Sequence, residues 1–182
     1  MPTITIRVRK NPRKKLVKLK DVLRKGGTAM NRLLFVIGRA VLEKVHPAFV
    51  TKSEGGTDES GLRWAPLAPY TVDKKRRLKA KRPSISLDTL TETQLLIKSL
   101  TPPSKSARGP SRRKDQVFNV TSDGVEVGTT REWAWTHHHG VPGRIPQRRL
   151  WPEVANWPRS WWEHIGEAAK MELVEIITKL LR

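Results

Sequence analysis

Thr28 to Val45 is the segment that most limits what this chain can become. Met30, Leu33, Leu34, Ile37, Val41, Leu42 and Val45 recur at three- and four-residue intervals and form a wide apolar stripe, which predicts a long amphipathic helix. Thr28 supplies a cap, and His46-Pro47 an end, because proline disfavours helical backbone in the residue before it. A stripe that wide has to be covered, and three further patterns can cover it. Thr3 to Arg9 alternates with Ile4, Ile6 and Val8 on one face and reads as a half-buried strand. Gln116–Val120 and Val125–Thr129 flank Ser122-Asp123-Gly124 and read as a hairpin. Ser160 to Leu181 carries Trp161, Ile165, Ala168, Ala169, Leu173, Ile176, Ile177 and Leu180 at helical spacing, with Ser160 as cap and Glu163 as its capping-box partner. Shorter helical patterns run from Arg13 to Arg24, stopped by Gly26-Gly27, and from Asp88 to Leu100, stopped by Pro102-Pro103. Trp133 to His139 fits either a β segment or a short helix.

One N-terminal strand, a hairpin and helices in segregated order predict an α+β fold. The expected architecture is a small antiparallel sheet packed with the long helix of the N-terminal half and a C-terminal helix at about 160–181. At 182 residues the chain is expected to form a single domain over 1–182. Its 37% hydrophobic residues and seven Trp are too many for a disordered tail. With no Cys, disulfides and thiolate zinc sites are impossible. No apolar run reaches the ~18 residues of a membrane span, and the N-terminus lacks a signal-peptide pattern, so a soluble intracellular product without a membrane partner is expected.

Lys and Arg number 36 against 17 Asp and Glu, a formal charge of +19. Such an excess points first to a polyanionic partner. The cations concentrate in Arg7 to Lys25, in Lys74, Lys75, Arg76 and Arg77 through Arg82, and in Arg108 with Arg112, Arg113 and Lys114. The last two stretches read as long basic loops, although Thr71 can cap a short helix where the first of them begins. Lys74 to Arg77 and Arg112 to Lys114 are the candidate contacts to DNA or an acidic partner, with simple solvation an equal alternative. Mobile loops are expected at about 51–62, which is polar and Gly-rich, and at about 102–115.

Catalytic constellations are absent from the sequence. His137-His138-His139 suggests a metal, but in extended backbone His138 points away from its neighbours, and no fourth ligand stands at useful spacing. There is no Gly-x-Ser-x-Gly, no Cys nucleophile and no Walker-type loop. Asp58-Glu59 lies in the Gly-rich loop, where a solvated role is expected. Trp151, Trp157, Trp161 and Trp162 suit a core or a protein interface better than a base-stacking platform. The expectation is a protein that is not an enzyme and holds no cofactor or metal.

Four blocks form an ordered pattern. Gly61-Leu62-Arg63-Trp64-Ala65-Pro66-Leu67-Ala68-Pro69-Tyr70-Thr71 resembles the "G-x-x-W-x-P-L-s-p-x-T" signature of the phage virion morphogenesis family, the tail-completion proteins of Mu-like and related tailed phages. Leu87-Asp88-Thr89-Leu90-Thr91-Glu92-Thr93-Gln94-Leu95 with Ser99-Leu100 is similar to its "L-x-x-T-G-x-L-x-x-S-l" block. Val127-Gly128-Thr129, followed by Trp133 to Gly140, resembles "v-G-t … Y-A-x-x-H-Q-x-G", and Ile145 to Leu150 resembles "I-P-x-R-p-f". The likeness covers roughly residues 28–155. Glu92 stands in place of the family's Gly, Trp133 of its Tyr, His138 of its Gln and Arg149 of its Pro.

The resemblance implies a structural virion protein of the neck, at the head–tail junction, that joins or completes the tail as a homo-oligomeric ring. Six copies are what similarity favours, twelve the alternative. Its implied partners are further copies of itself, the neighbouring connector or adaptor, the tail-terminator or tail-tube proteins, and the genomic double-stranded DNA passing through; its implied location is the virion, after assembly in the host cytoplasm. A ring needs different patches of one subunit to meet the next. Candidate contacts are Trp64, Pro66, Leu67, Trp133, His137, His139, Ile145, Pro146, Arg148, Arg149 and Trp151, with closure of the subunit's own core equally open for Trp64. A strongly positive lumen would hold back moving DNA, so the basic stretches are expected against acidic partners at subunit or ring contacts. The competing reading is a basic double-stranded-DNA-binding protein.

Overall fold

The computed structural model describes residues 3–7, 27–84, 88, 95–106 and 115–180, with backbone alone for 3–7 and 180. In chain order the elements are β1 (Thr3–Arg7), α1 (Gly27–Ser53), α2 (Pro69–Lys81), α3 (Leu95–Leu100), β2 (Gln116–Val120), β3 (Gly124–Thr129), α4 (Glu132–His139), a 3-10 turn at Val154–Asn156, and α5 (Arg159–Leu180). The expected helix at 13–24, Glu92, and Arg112, Arg113 and Lys114 lie outside the described residues.

The fold is α+β, built around α1. Leu33 to Gly38, Ala40 to Leu42 and Val45 are all buried, which is wider than a stripe and fits a helix covered on several sides. One cover is the antiparallel sheet, ordered β1-β3-β2, whose register pairs Ile4 and Phe118 with Val127, and Ile6 and Val120 with Val125. Gly38 lets the sheet approach: a Cβ there would stand 2.7 Å from Val125 Cγ2 and 2.9 Å from Phe118 Cζ. The Phe35 and Phe118 rings meet at 5.3 Å beside it. The other cover is α5, which buries Trp161, Ile165 and Ile176 and is tied to α1 by Arg32 with Glu172 and Glu175, and by His164 with Glu43.

Four expectations need correction. First, α1 does not stop at His46-Pro47. It runs through Pro47 to Ser53, because Ala48, Phe49, Lys52 and Ser53 are all buried and offset the ~3 kcal/mol a proline costs inside a helix. Its end is set by Gly55 at φ 87°, whose N–H donates to Lys52 O, and by Gly56, whose N–H donates to Thr51 O. Second, the basic stretch from Lys74 is a helix rather than a loop; it starts at Pro69, with Thr71 inside its first turn. Third, α5 begins at Arg159, so Ser160 lies within it and its hydroxyl donates to Glu59 Oε2 at 2.6 Å, while Glu163 pairs with Arg159. Fourth, Thr28 lies in the first turn of α1 rather than before it. Trp133 to His139 resolves as helix. Among the described residues no helix is long and apolar enough to cross a membrane.

Candidate functional site

The buried end of α1 organises the site. Lys52 continues the apolar stripe at Val45 and Phe49, so its side chain is carried inward and is 0% exposed. Its ammonium pairs with Asp58 Oδ2 at 2.9 Å and donates to the carbonyls of Arg149 at 3.2 Å and Leu150 at 3.1 Å. Asp58 is equally buried. Its Oδ1 accepts from Ser60 N and Oγ and from Leu62 N, which pins the loop inside the Thr57–Arg63 bridge. Burial alone would raise the Asp58 carboxyl, but the Ser60, Lys52 and Leu62 hydrogen bonds and the Lys52 charge hold it below its ordinary range. Burial lowers the Lys52 ammonium from its ordinary value, and Asp58 offsets part of that. The expectation of a solvated Asp58 is therefore wrong; Glu59 beside it is exposed, bonded to Ser160 and Lys44.

Around this pair three of the four sequence blocks meet. Trp64 is buried, packs edge-on against Phe49 at 5.0 Å and donates its Nε1 hydrogen to Arg149 O at 2.8 Å. Lys52 Nζ sits 5.6 Å from the centre of the Trp64 ring. Arg148 is buried, and its guanidinium reaches the carbonyls of Ala65 and Pro66 at 3.4 Å while its N–H donates to His137 O at 2.7 Å. Leu150 N donates to His138 Nδ1 at 3.2 Å, and the His138 ring lies 5.4 Å from that of Trp151. Burial, with the nearby charges of His139, Arg149 and Lys52, lowers His138 to about 4, so at neutral pH it is the neutral acceptor this bond requires. His137 is also lowered, by burial and by Arg148.

The fourth block joins at a second junction. Ser99 of α3 donates to Leu96 O and bonds Thr129 Oγ1 at 3.0 Å, and Thr129 Oγ1 accepts from Arg131 N. Gln116 Nε2 closes it by donating to the carbonyls of Ser99 and Thr101.

The eleven expected contact residues thus divide. Trp64, Arg148 and Trp151 are buried inside the subunit, where their polar atoms and rings fasten its own segments, and as they stand are not available to a neighbour. Leu67, Trp133, His137, Ile145 and Arg149 are half-buried, and Pro66, His139 and Pro146 are exposed. Pro66 and Leu67 line a groove of about 700 Å³ with Arg63 and Val72. Ile145 and Pro146 end a tight loop in which Val141 O accepts from Arg144 N and Ile145 N, with Gly143 at φ 68° supplying the turn. Of the basic candidates, Lys74, Arg76 and Arg77 are exposed, but Lys75 is buried and donates to Asp88 O, so it is no surface contact. Among the described residues no three His, Cys, Asp or Glu groups are placed to hold a metal. No motif marks Lys52 or Asp58; the signal for Lys52 is its place on the apolar period.

Comparisons with protein-family models, with curated proteins and with solved structures find no match to this chain.

Proposed function

We propose that this chain is a structural virion protein of the phage neck, one that joins or completes the tail at the head–tail interface as a homo-oligomeric ring of six copies around the DNA path. The observation that carries the reading is that described residues of all four blocks resembling tail-completion proteins, far apart in sequence, meet at the Lys52–Asp58 and Ser99–Thr129 junctions, the second block through Ser99. Residues that recur as a set because they hold one scaffold together should meet in this way. The scaffold then presents its neighbours with restricted apolar material: Pro66 and Pro146, Trp135 at 48% exposure, and Met171 and Val174 along the outer side of α5 at 70% and 57%. These lie on different elements, which suits the head-to-tail contacts a ring requires. The partners on either side would be a connector or adaptor and a tail-terminator or tail-tube protein. The protein acts by fit, with no reaction of its own.

Electron microscopy of particles made with the gene disrupted tests the proposal. Full heads and finished tails that remain separate are expected; normal numbers of joined, infectious particles would overturn it.

A further inference from the structure

The outer face of α2 belongs to neither junction. The helix buries only Lys75, and at 100° per residue Tyr70, Lys74, Arg77 and Lys81 fall within an arc of about 60° on the side facing away from Lys75. All four are exposed, Tyr70 at 78%. Arg76 and Lys79 are exposed too but lie off the stripe, Lys79 on the far side next to Lys75, while the single carboxylate of the helix, Asp73, borders the stripe beside Arg77 and stands 3.8 Å from Arg76.

We infer that this face binds the phosphate backbone of duplex DNA without reading its sequence. Three features select that partner over an acidic protein surface. Protein interfaces are depleted in Lys and are anchored by a buried apolar centre, whereas this stripe holds Lys74, Lys81 and Arg77 and has no aliphatic anchor. From Lys74 to Lys81 the helix rises ~10 Å, along which a DNA strand presents a phosphate about every 3.4 Å. Tyr70 adds a hydroxyl that can donate to a phosphate oxygen. Pro69–Lys81 contains no Asn or Gln to bond adenine, and one aromatic is too few for the stacking platform that single strands require. The expectation that acidic partners take up this stretch is therefore replaced. The objection that a basic surface would arrest moving DNA weakens because the stripe presents only three cations of each chain to the duplex, and their hold on phosphate is salt-labile. The inference rests on the surface of α2 and not on the neck proposal, so either can fail without the other.

Fluorescence anisotropy of the full chain with a short labelled duplex, between about 50 and 200 mM salt, tests it. The triple variant Lys74→Gln/Arg77→Gln/Lys81→Gln is expected to flatten the log–log salt slope by about 2.7 per chain, at ~0.9 for each phosphate that is no longer neutralised. The control Lys98→Gln/Arg144→Gln/Lys170→Gln removes the same charge from exposed positions elsewhere and is expected to shift the slope by less than ~1. Circular dichroism verifies that both remain folded. Two unrelated duplex sequences should bind alike. Equal slope changes in both triples, no duplex binding at low salt, tighter binding of the single strand, or competition by polyglutamate as effective as by duplex would each overturn the inference.

Discussion

Lys52→Met isolates the buried ion pair. Methionine replaces the aliphatic stem, so little cavity forms, but Asp58 is left with a fully buried carboxylate and no counter-charge, and Leu150 O loses its ammonium donor. Arg149 O keeps the Trp64 indole. Breaking a buried pair from one side costs about 3–5 kcal/mol. At ~2–4 °C per kcal/mol for a chain of this size, the melting midpoint should fall by roughly 6–20 °C. The pair as a whole is worth much less, because burial already lowers the Lys52 ammonium in the native protein. The double variant Lys52→Met/Asp58→Asn, which keeps an acceptor for Ser60 and Leu62, should therefore recover at least half of the loss. Asp58→Asn alone supplies a sign. It leaves a buried ammonium with no counter-charge whose folded-state pKa lies below the unfolded value, so stability is lost as pH falls below the ordinary lysine range and should rise as pH climbs back towards it. Urea unfolding followed by tryptophan emission measures all four proteins. A loss below ~1 kcal/mol for Lys52→Met, or strictly additive single and double effects, would refute the argument.

Two glycines should respond with opposite signs to the same substitution. Gly38→Ala drives a methyl into Val125 and Phe118 and should destabilise by ~1–3 kcal/mol, whereas Gly166→Ala, exposed in α5 with nothing within 4 Å of a Cβ, should stabilise by ~0.5–1 kcal/mol; urea midpoints decide both. His138, lowered to about 4, binds a proton in the unfolded chain that the folded chain refuses. Its contribution is present above about 6.5 and is lost as pH falls towards 4, by on the order of 2–3 kcal/mol after allowance for partial solvent screening. Thermal melts across that range should be steeper for the native chain than for His138→Gln, which keeps an acceptor for Leu150 N; parallel curves would count against it.

The parts of the fold that sequence makes legible are those where local pattern and burial agree. Strand alternation at Thr3–Arg9 and the Asp123-Gly124 turn predict an N-terminal strand and a hairpin, since each is a period-2 or turn signal that tertiary contacts only reinforce, whereas the pairing of β1 with β3 is a long-range contact that neither signal carries. Pro47 misleads because a local rule about proline is outweighed by four buried residues beyond it, and the Gly55-Gly56 stop is hidden in what composition marks as loop. The basic helix α2 misleads in the other way: charge suggests loop, yet Lys, Arg and Ala are good helix formers and Pro69 suits a first turn. At the site, Trp64, Arg148 and Trp151 are expected as contacts to a neighbouring subunit, with closure of the core open for Trp64, and the structure instead buries all three within the subunit. Their destination depends on Lys52, a residue in no motif, and a buried lysine is visible in sequence only as a misfit on an apolar period.

The distribution of carboxylates predicts how assembly depends on salt. Glu43, Asp58, Asp115, Glu172 and Glu175 pair with cations of the same chain, as do the exposed Glu153, Glu163 and Glu167. With 17 acidic residues against 36 basic ones, identical subunits have too few carboxylates to neutralise one another. Bringing copies with a formal charge of +19 together is therefore repulsive at long range, and exposed apolar groups such as Trp135 and Met171 have to supply the attraction in the proposed ring. Screening removes the repulsion, as the Debye length shrinks from ~30 Å at 0.01 M to ~8 Å at 0.15 M, while apolar contacts persist. Sedimentation velocity of the purified chain should then show the oligomer growing as salt rises over that range, and growing at low salt when duplex DNA is added. An oligomer that instead dissolves with salt would mean that ion pairs between subunits hold it, and the charge argument would fail.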